Sequence, residues 1–277
     1  MNATYRNMTR DDLALVLDWA AAEGWNPGRD DDAAFLAADP KGFFMACIDQ
    51  TPVAAISVVN HDPRFAFLGL YLCRPEFRGQ GIGFGLWRHA MEHAGDRTVG
   101  LDGVAAQQAN YARSGFTLAG STTRYLGALA AAPDDSIRPL RAEDVPAIYA
   151  LDTAANGYAR PGFLSAWLAV SDSRLTVIAE DAEHPVGFAT IRQCREGVKI
   201  GPIIAPDADT ALRLARAALV QCPAPVVAID LPESAGDFRA RLLAAGLSPG
   251  FATARMYRGP APATSAQLHA IASMELG

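Results

Sequence analysis

The sequence predicts a mixed α/β protein, α+β by some schemes, built from two copies of one fold. Two observations set the copy number. Arg6-Asn7-Met8-Thr9-Arg10-Asp11-Asp12-Leu13 matches Arg138-Pro139-Leu140-Arg141-Ala142-Glu143-Asp144-Val145, and each stretch precedes an amphipathic helical pattern. The copies also end alike: Ser114-Gly115-Phe116 runs to Thr123-Arg124-Tyr125, and Ala245-Gly246-Leu247 runs to Ala254-Arg255-Met256-Tyr257. A third observation sets the class, because the element order joins an antiparallel meander to a parallel crossover and so requires a mixed sheet.

The first copy opens with a strand near Tyr5 to Met8, then helices from about Asp11 to Glu23 and Asp31 to Ala38. Three strands follow, near Phe43 to Ile48, Val53 to Asn60 and Phe65 to Cys73, separated by turn signals at Gln50-Thr51-Pro52 and His61-Asp62-Pro63-Arg64. A glycine-rich turn leads into a helix from Phe84 to Ala94. A strand near Thr98 to Asp102, a helix ending at Ser114 and a closing pair of strands complete the copy. Ala128 to Asp135 reads as a linker, which places the domains at 1–130 and 136–277.

A chain of 277 residues suits two domains that each bury a core. Half its residues are hydrophobic, yet no apolar run approaches membrane-span length, and the polar start lacks a signal-peptide core. We expect a cytoplasmic protein with no membrane partner. Cys47, Cys73, Cys194 and Cys222 are scattered, which argues for reduced thiols and no metal site. The formal net charge of −6 and the lack of a Lys/Arg cluster argue against nucleic acid. His89-Ala90-Met91-Glu92-His93 fits a zinc-protease spacing, but its helix begins at the glycine turn and no third ligand is evident.

Arg78-Gly79-Gln80-Gly81-Ile82-Gly83 is the main functional signal. Glycines let successive backbone N–H groups converge, and the helix behind adds its positive dipole end, so the turn can cradle a pyrophosphate, with Arg78 as the matching cation. Downstream stands Asn110-Tyr111-Ala112-Arg113-Ser114-Gly115-Phe116. Together these motifs resemble the GNAT superfamily of acetyl-CoA-dependent N-acetyltransferases, over residues 1 to about 130. The tandem layout, with Glu23-Gly24-Trp25-Asn26-Pro27-Gly28 early and Arg255-Met256-Tyr257-Arg258-Gly259 late, looks like the YitH-like subgroup.

The resemblance implies acetyl-CoA as cosubstrate, held at Arg78 to Gly83, with the amides near Leu72 and Cys73 polarising the acetyl carbonyl; Asn110 is the candidate to replace, as a CoA contact, the asparagine that the family's helix carries where this chain has Val104. It implies two central parallel strands that splay into a slot. Tyr111 is the candidate acid for the departing thiolate, since a phenol stays protonated at neutral pH. Asp102 is the candidate base, with Glu76 as the other possibility. Trp25, Asn26 and Tyr71 are candidates for binding the amine, a small molecule by preference. The family's helix often carries asparagine and alanine where this chain has Val104 and Gln107.

The second copy keeps the order and loses the chemistry. Pro206 leads directly into Asp207-Ala208-Asp209, without a glycine cradle, and Leu242 stands where the first copy has Tyr111. We expect a degenerate domain binding no second donor. The alternative function is a CoA-binding regulatory module whose second domain takes a metabolite or a partner.

Overall fold

A computed structural model describes residues 3–277. The first copy contains β1 (Thr4–Asn7), α1 (Arg10–Ala22), α2 (Asp31–Ala38), β2 (Phe43–Ile48), β3 (Thr51–Asn60), β4 (Phe65–Cys73), α3 (Ile82–Ala94), β5 (Thr98–Gly103), α4 (Gln108–Arg113) and β6 (Thr117–Gly127). The second contains β7 (Ile137–Pro139), α5 (Val145–Asn156), α6 (Pro161–Trp167), β8 (Arg174–Asp181), β9 (His184–Gln193), β10 (Val198–Ile204), α7 (Ala208–Gln221), β11 (Val227–Pro232), α8 (Gly236–Ala244) and β12 (Ser248–Arg258). A last strand, β13 (Leu268–Ala270), follows.

Local chemistry explains the start of the copy. Thr9 caps α1 in a reciprocal box with Asp12, satisfying two otherwise orphaned amides, and Asp11 and Asp12 lie in the positive first turn. Leu13, Val16, Leu17 and Ala20 form the buried stripe.

One continuous sheet runs through both copies in the order β1-β2-β3-β4-β5-β12-β6-β11-β10-β9-β8-β7, with β13 added on β10. The expected closing pair of strands within each copy is corrected here. Each copy ends in one long strand whose neighbours come largely from the other copy. β12 pairs with β5, bringing Arg255 opposite Asp102, while β6 pairs with β11, bringing Arg124 opposite Asp230. The two exchanged strands also pair with each other. A division at residues 130 and 136 therefore separates the copies along the chain, but each sheet is completed by the other half.

A shared core reinforces this exchange. Leu13 and Phe35 of the first copy pack with Phe163 and Trp167 of the second. Asp31, buried on α2, pairs with Arg174 at 2.9 Å and Arg192 at 3.2 Å, and both guanidiniums lie over the Trp167 ring at 4.3 and 4.6 Å. No helix among the described residues is long and apolar enough to cross a membrane.

Candidate active site

β4 and β5 pair in parallel only from Phe65↔Thr98 to Leu68↔Leu101, and β4 then continues to Cys73 with β3 but without β5. The open gap beyond that point is the slot. Within it β4 bulges: Ala55 pairs with Leu72 and Ser57 with Gly69, so Leu70 and Tyr71 together face one residue of β3. Leu70 reaches this geometry at φ 46, a strained value for a branched side chain. Past the bulge the Arg74 N–H donates to the Val53 carbonyl at 2.9 Å. By strand alternation Leu72 also faces β3, and the backbone of Tyr71 and Cys73 turns to the open side. Of the two amides expected here, Cys73 is thus the one presented to the slot, whereas Leu72 belongs to the ladder.

Next comes the cradle. Gly79 and Gly81 take φ values of 76 and 79, and a Cβ on either would meet nothing within 4 Å, so the space before α3 is open. Gly81 is the N-cap of α3, offers no side-chain cap, and no acid occupies the first turn. The first amides of α3 are left for an external anion. Ile82 is buried and anchors the helix, and Gly83 leaves room for the Tyr71 hydroxyl, which would lie 2.9 Å from an added Cβ. Gln80 donates to the Glu76 carbonyl at 3.0 Å and stiffens the loop.

Arg78 departs from expectation. Its Nε donates to the Cys73 carbonyl at 2.8 Å and its Nη2 pairs with Glu23 at 2.6 Å, so the guanidinium bridges to α1's end and is not free over the cradle. Both side chains are about half exposed, and such pairs contribute roughly 0–1 kcal/mol, so the arm is easily re-aimed.

Tyr111 is buried beside Trp87, ring centroids 5.6 Å apart and planes 22° from parallel, and it borders the cavity in the splay and a separate opening of about 590 Å³ between α3 and α4. Burial, with Tyr71 adding to it, pushes its phenol well above the usual value. Tyr71 is likewise pushed up to about 12 by burial and by Cys73. Both hydroxyls keep their protons at neutral pH, which suits a proton donor. Asn110 is exposed, bonded to Gln107 at 2.6 Å and to Arg113, and lines the opening between α3 and α4, not the slot along the cradle.

The cavity holds about 60 Å³ and is roofed by Tyr71 and Tyr111, with Trp25 and Phe251 at its sides. It opens to a slot of about 620 Å³ running along the cradle. Trp25 lines both spaces. Its carbonyl accepts from Arg124 at 3.0 Å and Lys199 at 2.9 Å. Asn26 lines neither: at φ 51 its amide exchanges bonds of 2.8 and 3.2 Å with the Glu196 backbone, clasping the two copies together.

Asp102 departs from expectation as well. Its side chain is fully buried, Arg255 bonds both oxygens at 3.1 and 2.7 Å, and Thr122 and Thr253 donate at 2.9 and 3.2 Å. Oδ1 is crowded by three donors and Oδ2 is taken up by the guanidinium, so the carboxylate is committed to the ion pair with Arg255. It anchors the exchanged β12 instead. Glu76 lies outside the cavity, paired with Arg74 at 2.5 Å. His93 pairs with Asp39 at 2.7 Å and His89 stacks on Tyr5 at 5.5 Å, so helix packing accounts for that spacing.

The second copy has the same splay and fills it. β10 and β11 pair in parallel only at Val198↔Val227 and Lys199↔Ala228, and β13 then lies against β10 while the Ile271 N–H donates to the Asp230 carbonyl at 3.0 Å. Asp207 caps α7, accepting from the Thr210 N–H at 2.7 Å. Leu242, opposite number of Tyr111, is core.

Comparisons with known proteins agree with this geometry. The model of the acetyltransferase (GNAT) family matches residues 10–116, and that of an acetyltransferase (GNAT) domain matches residues 148–270. The holothin acyltransferase of Pseudoalteromonas sp. (strain SANK 73390) is 32% identical over 99% of this chain and 94% of its own length. Among solved structures, a putative acetyltransferase from Pyrococcus horikoshii superposes with a TM-score of 0.82 at 21% identity, over 99% of this chain and 96% of that one. A tandem GNAT protein from the clavulanic acid biosynthesis pathway does so at 0.64 and 15%, over 94% of this chain and 100% of that one.

Proposed function

The chain belongs to the GNAT acetyltransferases as a tandem of two such domains, and from that premise we propose that it is an acetyl-CoA-dependent N-acetyltransferase acting on a primary amine of a small molecule. The observation that carries this reading is the uncapped start of α3 beside an open splay with Tyr111 at its edge. The residues fit the donor: α3's first amides and the glycine turn would hold the pyrophosphate, and Cys73's slot-facing amide would steady the acyl carbonyl. When bound, the thioester supplies an activated acyl group. The chain's part is to hold donor and amine together in a small, largely apolar cavity, to donate the Tyr111 proton to the departing sulfur, and to keep water out.

The narrow cavity supports a slender amine end over a bulky one, and a cytoplasmic setting accords with an acyl-CoA donor. The relative's printed activity, acylation of holothin, is a reason to include holothin among the acceptors tried. The test is a screen of primary amines with acetyl-CoA, following free thiol. Amine-dependent thiol release with N-acetyl product is expected; tight donor binding without turnover on any amine would favour the regulatory module.

A further inference from the structure

Three charged side chains line the cavity: Asp102, Arg124 and Glu275. Two are spoken for. Asp102 is held by Arg255, and Arg124 spends its guanidinium on Asp230 at 2.7 and 2.9 Å and on the Trp25 carbonyl. Glu275 is only 4% exposed, yet its carboxylate has no hydrogen-bond or ion-pair partner among the described residues. Its charge is felt by the buried cations Arg124, Arg192 and Lys199, each of which it helps to keep protonated, but none of them contacts it, so its oxygens are left for a ligand in the cavity.

The backbone around Glu275 is held as firmly as its side chain is free. Upstream, β13 and Ile271 are tied into the second copy's splay. Downstream, the Leu276 N–H donates to Ser273 Oγ at 3.1 Å, the Leu276 carbonyl meets His61 Nε2 at 2.8 Å, and the Gly277 carbonyl accepts from buried Arg160 at 2.6 Å. Between these ties the strap passes directly under β4. A Cβ on Gly69 would come within 2.0 Å of the Glu275 carbonyl oxygen, so glycine is required there, one residue before the Leu70 bulge. The strap that closes the second copy's slot thus delivers an unpaired carboxylate to the floor of the first copy's slot.

We propose that Glu275 is the acceptor-side carboxylate: it binds the amine and takes its proton, the role the sequence suggested for Asp102. The proposal rests on the acyl-transfer reading above. An amine arriving as a cation first passes one proton to Glu275, which hands it on to water; the neutral nitrogen then bonds to the carbonyl carbon and passes a second proton to Glu275, while the carbon–sulfur bond breaks and Tyr111 gives its proton to sulfur. Water then returns the proton from Glu275 to Tyr111, which restores both groups. A carboxyl group at this place also gives an arriving ammonium a hydrogen-bond acceptor.

The full-length chain and its Glu275→Gln and Glu275→Asp variants would be compared with acetyl-CoA and two probes, benzylamine, cationic at neutral pH, and aniline, neutral there. Glu275→Gln should keep the unfolding midpoint and donor affinity, lose roughly 10²-fold in thiol release with benzylamine, and lose distinctly less with aniline. Glu275→Asp should recover part of the loss. Equal falls with both amines together with a lowered midpoint would mean a structural role and overturn the proposal, as would unchanged turnover. A second measurement needs no turnover. A water-soluble carbodiimide with glycine ethyl ester should label Glu275 in the native protein, located by mass spectrometry, while Asp102 and Asp230 resist. An unlabelled Glu275 would show that the cavity does not present it. Failure of acetyl-CoA to bind the unmodified protein would instead count against the acetyltransferase reading itself.

Discussion

The two copies share one fold and differ in what is left empty. In the first, α3 begins at a glycine with no side-chain cap, and the gap beside β4 is open. In the second, Asp207 supplies its own carboxylate to α7's first amides, and β13 occupies the gap beside β10. The helix end and the splayed strands are properties of the fold; the first copy withholds the internal anion and the internal strand, and the second supplies both. The filled copy still contributes, because it lends β12, Arg255, Phe251 and the terminal strap to the open one.

The harshest way to break the comparison is to separate the copies. A chain ending at residue 132 lacks β12 and leaves the edge of β5 bare and Asp102 without Arg255. Loss of cooperative unfolding by circular dichroism is expected; a folded, donor-binding half would show that the exchange is dispensable. Next in size, Gly81→Val puts a branched side chain at φ 79 in the helix cap, and acetyl-CoA affinity measured by calorimetry should fall by about 10²-fold or more with the fold retained. Tyr111→Phe keeps the ring on Trp87 and removes the proton. Donor affinity should hold while turnover drops roughly 10²-fold under conditions limited by chemistry. The smallest effect is expected in the filled copy: Asp207→Ala removes a helix cap worth about 1 kcal/mol, read as a lower unfolding midpoint, without creating donor binding.

Local features were legible in the sequence and long-range ones were not. The cradle announced itself because left-handed turns need glycine, and the spans of α2 and β2 followed from apolar periodicity and turn residues. The exchange of β6 and β12 was hidden, since alternation tells which face of a strand is buried and nothing about which strand lies beside it. Leu70 gave no sign of its positive φ, because leucine has no preference for that region and the bulge is imposed by its neighbours. Asp102 looked like a base from its place at a strand end. Only pairing with β12 reveals the arginine that occupies it. Glu275 lies more than a whole copy away from Tyr111 in sequence, and nothing local marks the strap that brings them to one cavity.

The central claim is that two copies make one site, and the most direct test is the stoichiometry of acetyl-CoA binding to the full chain by titration calorimetry. One donor per chain, abolished by Gly81→Val and unaffected by Asp207→Ala, is the predicted result. Two donors per chain, or one that survives Gly81→Val, would contradict it.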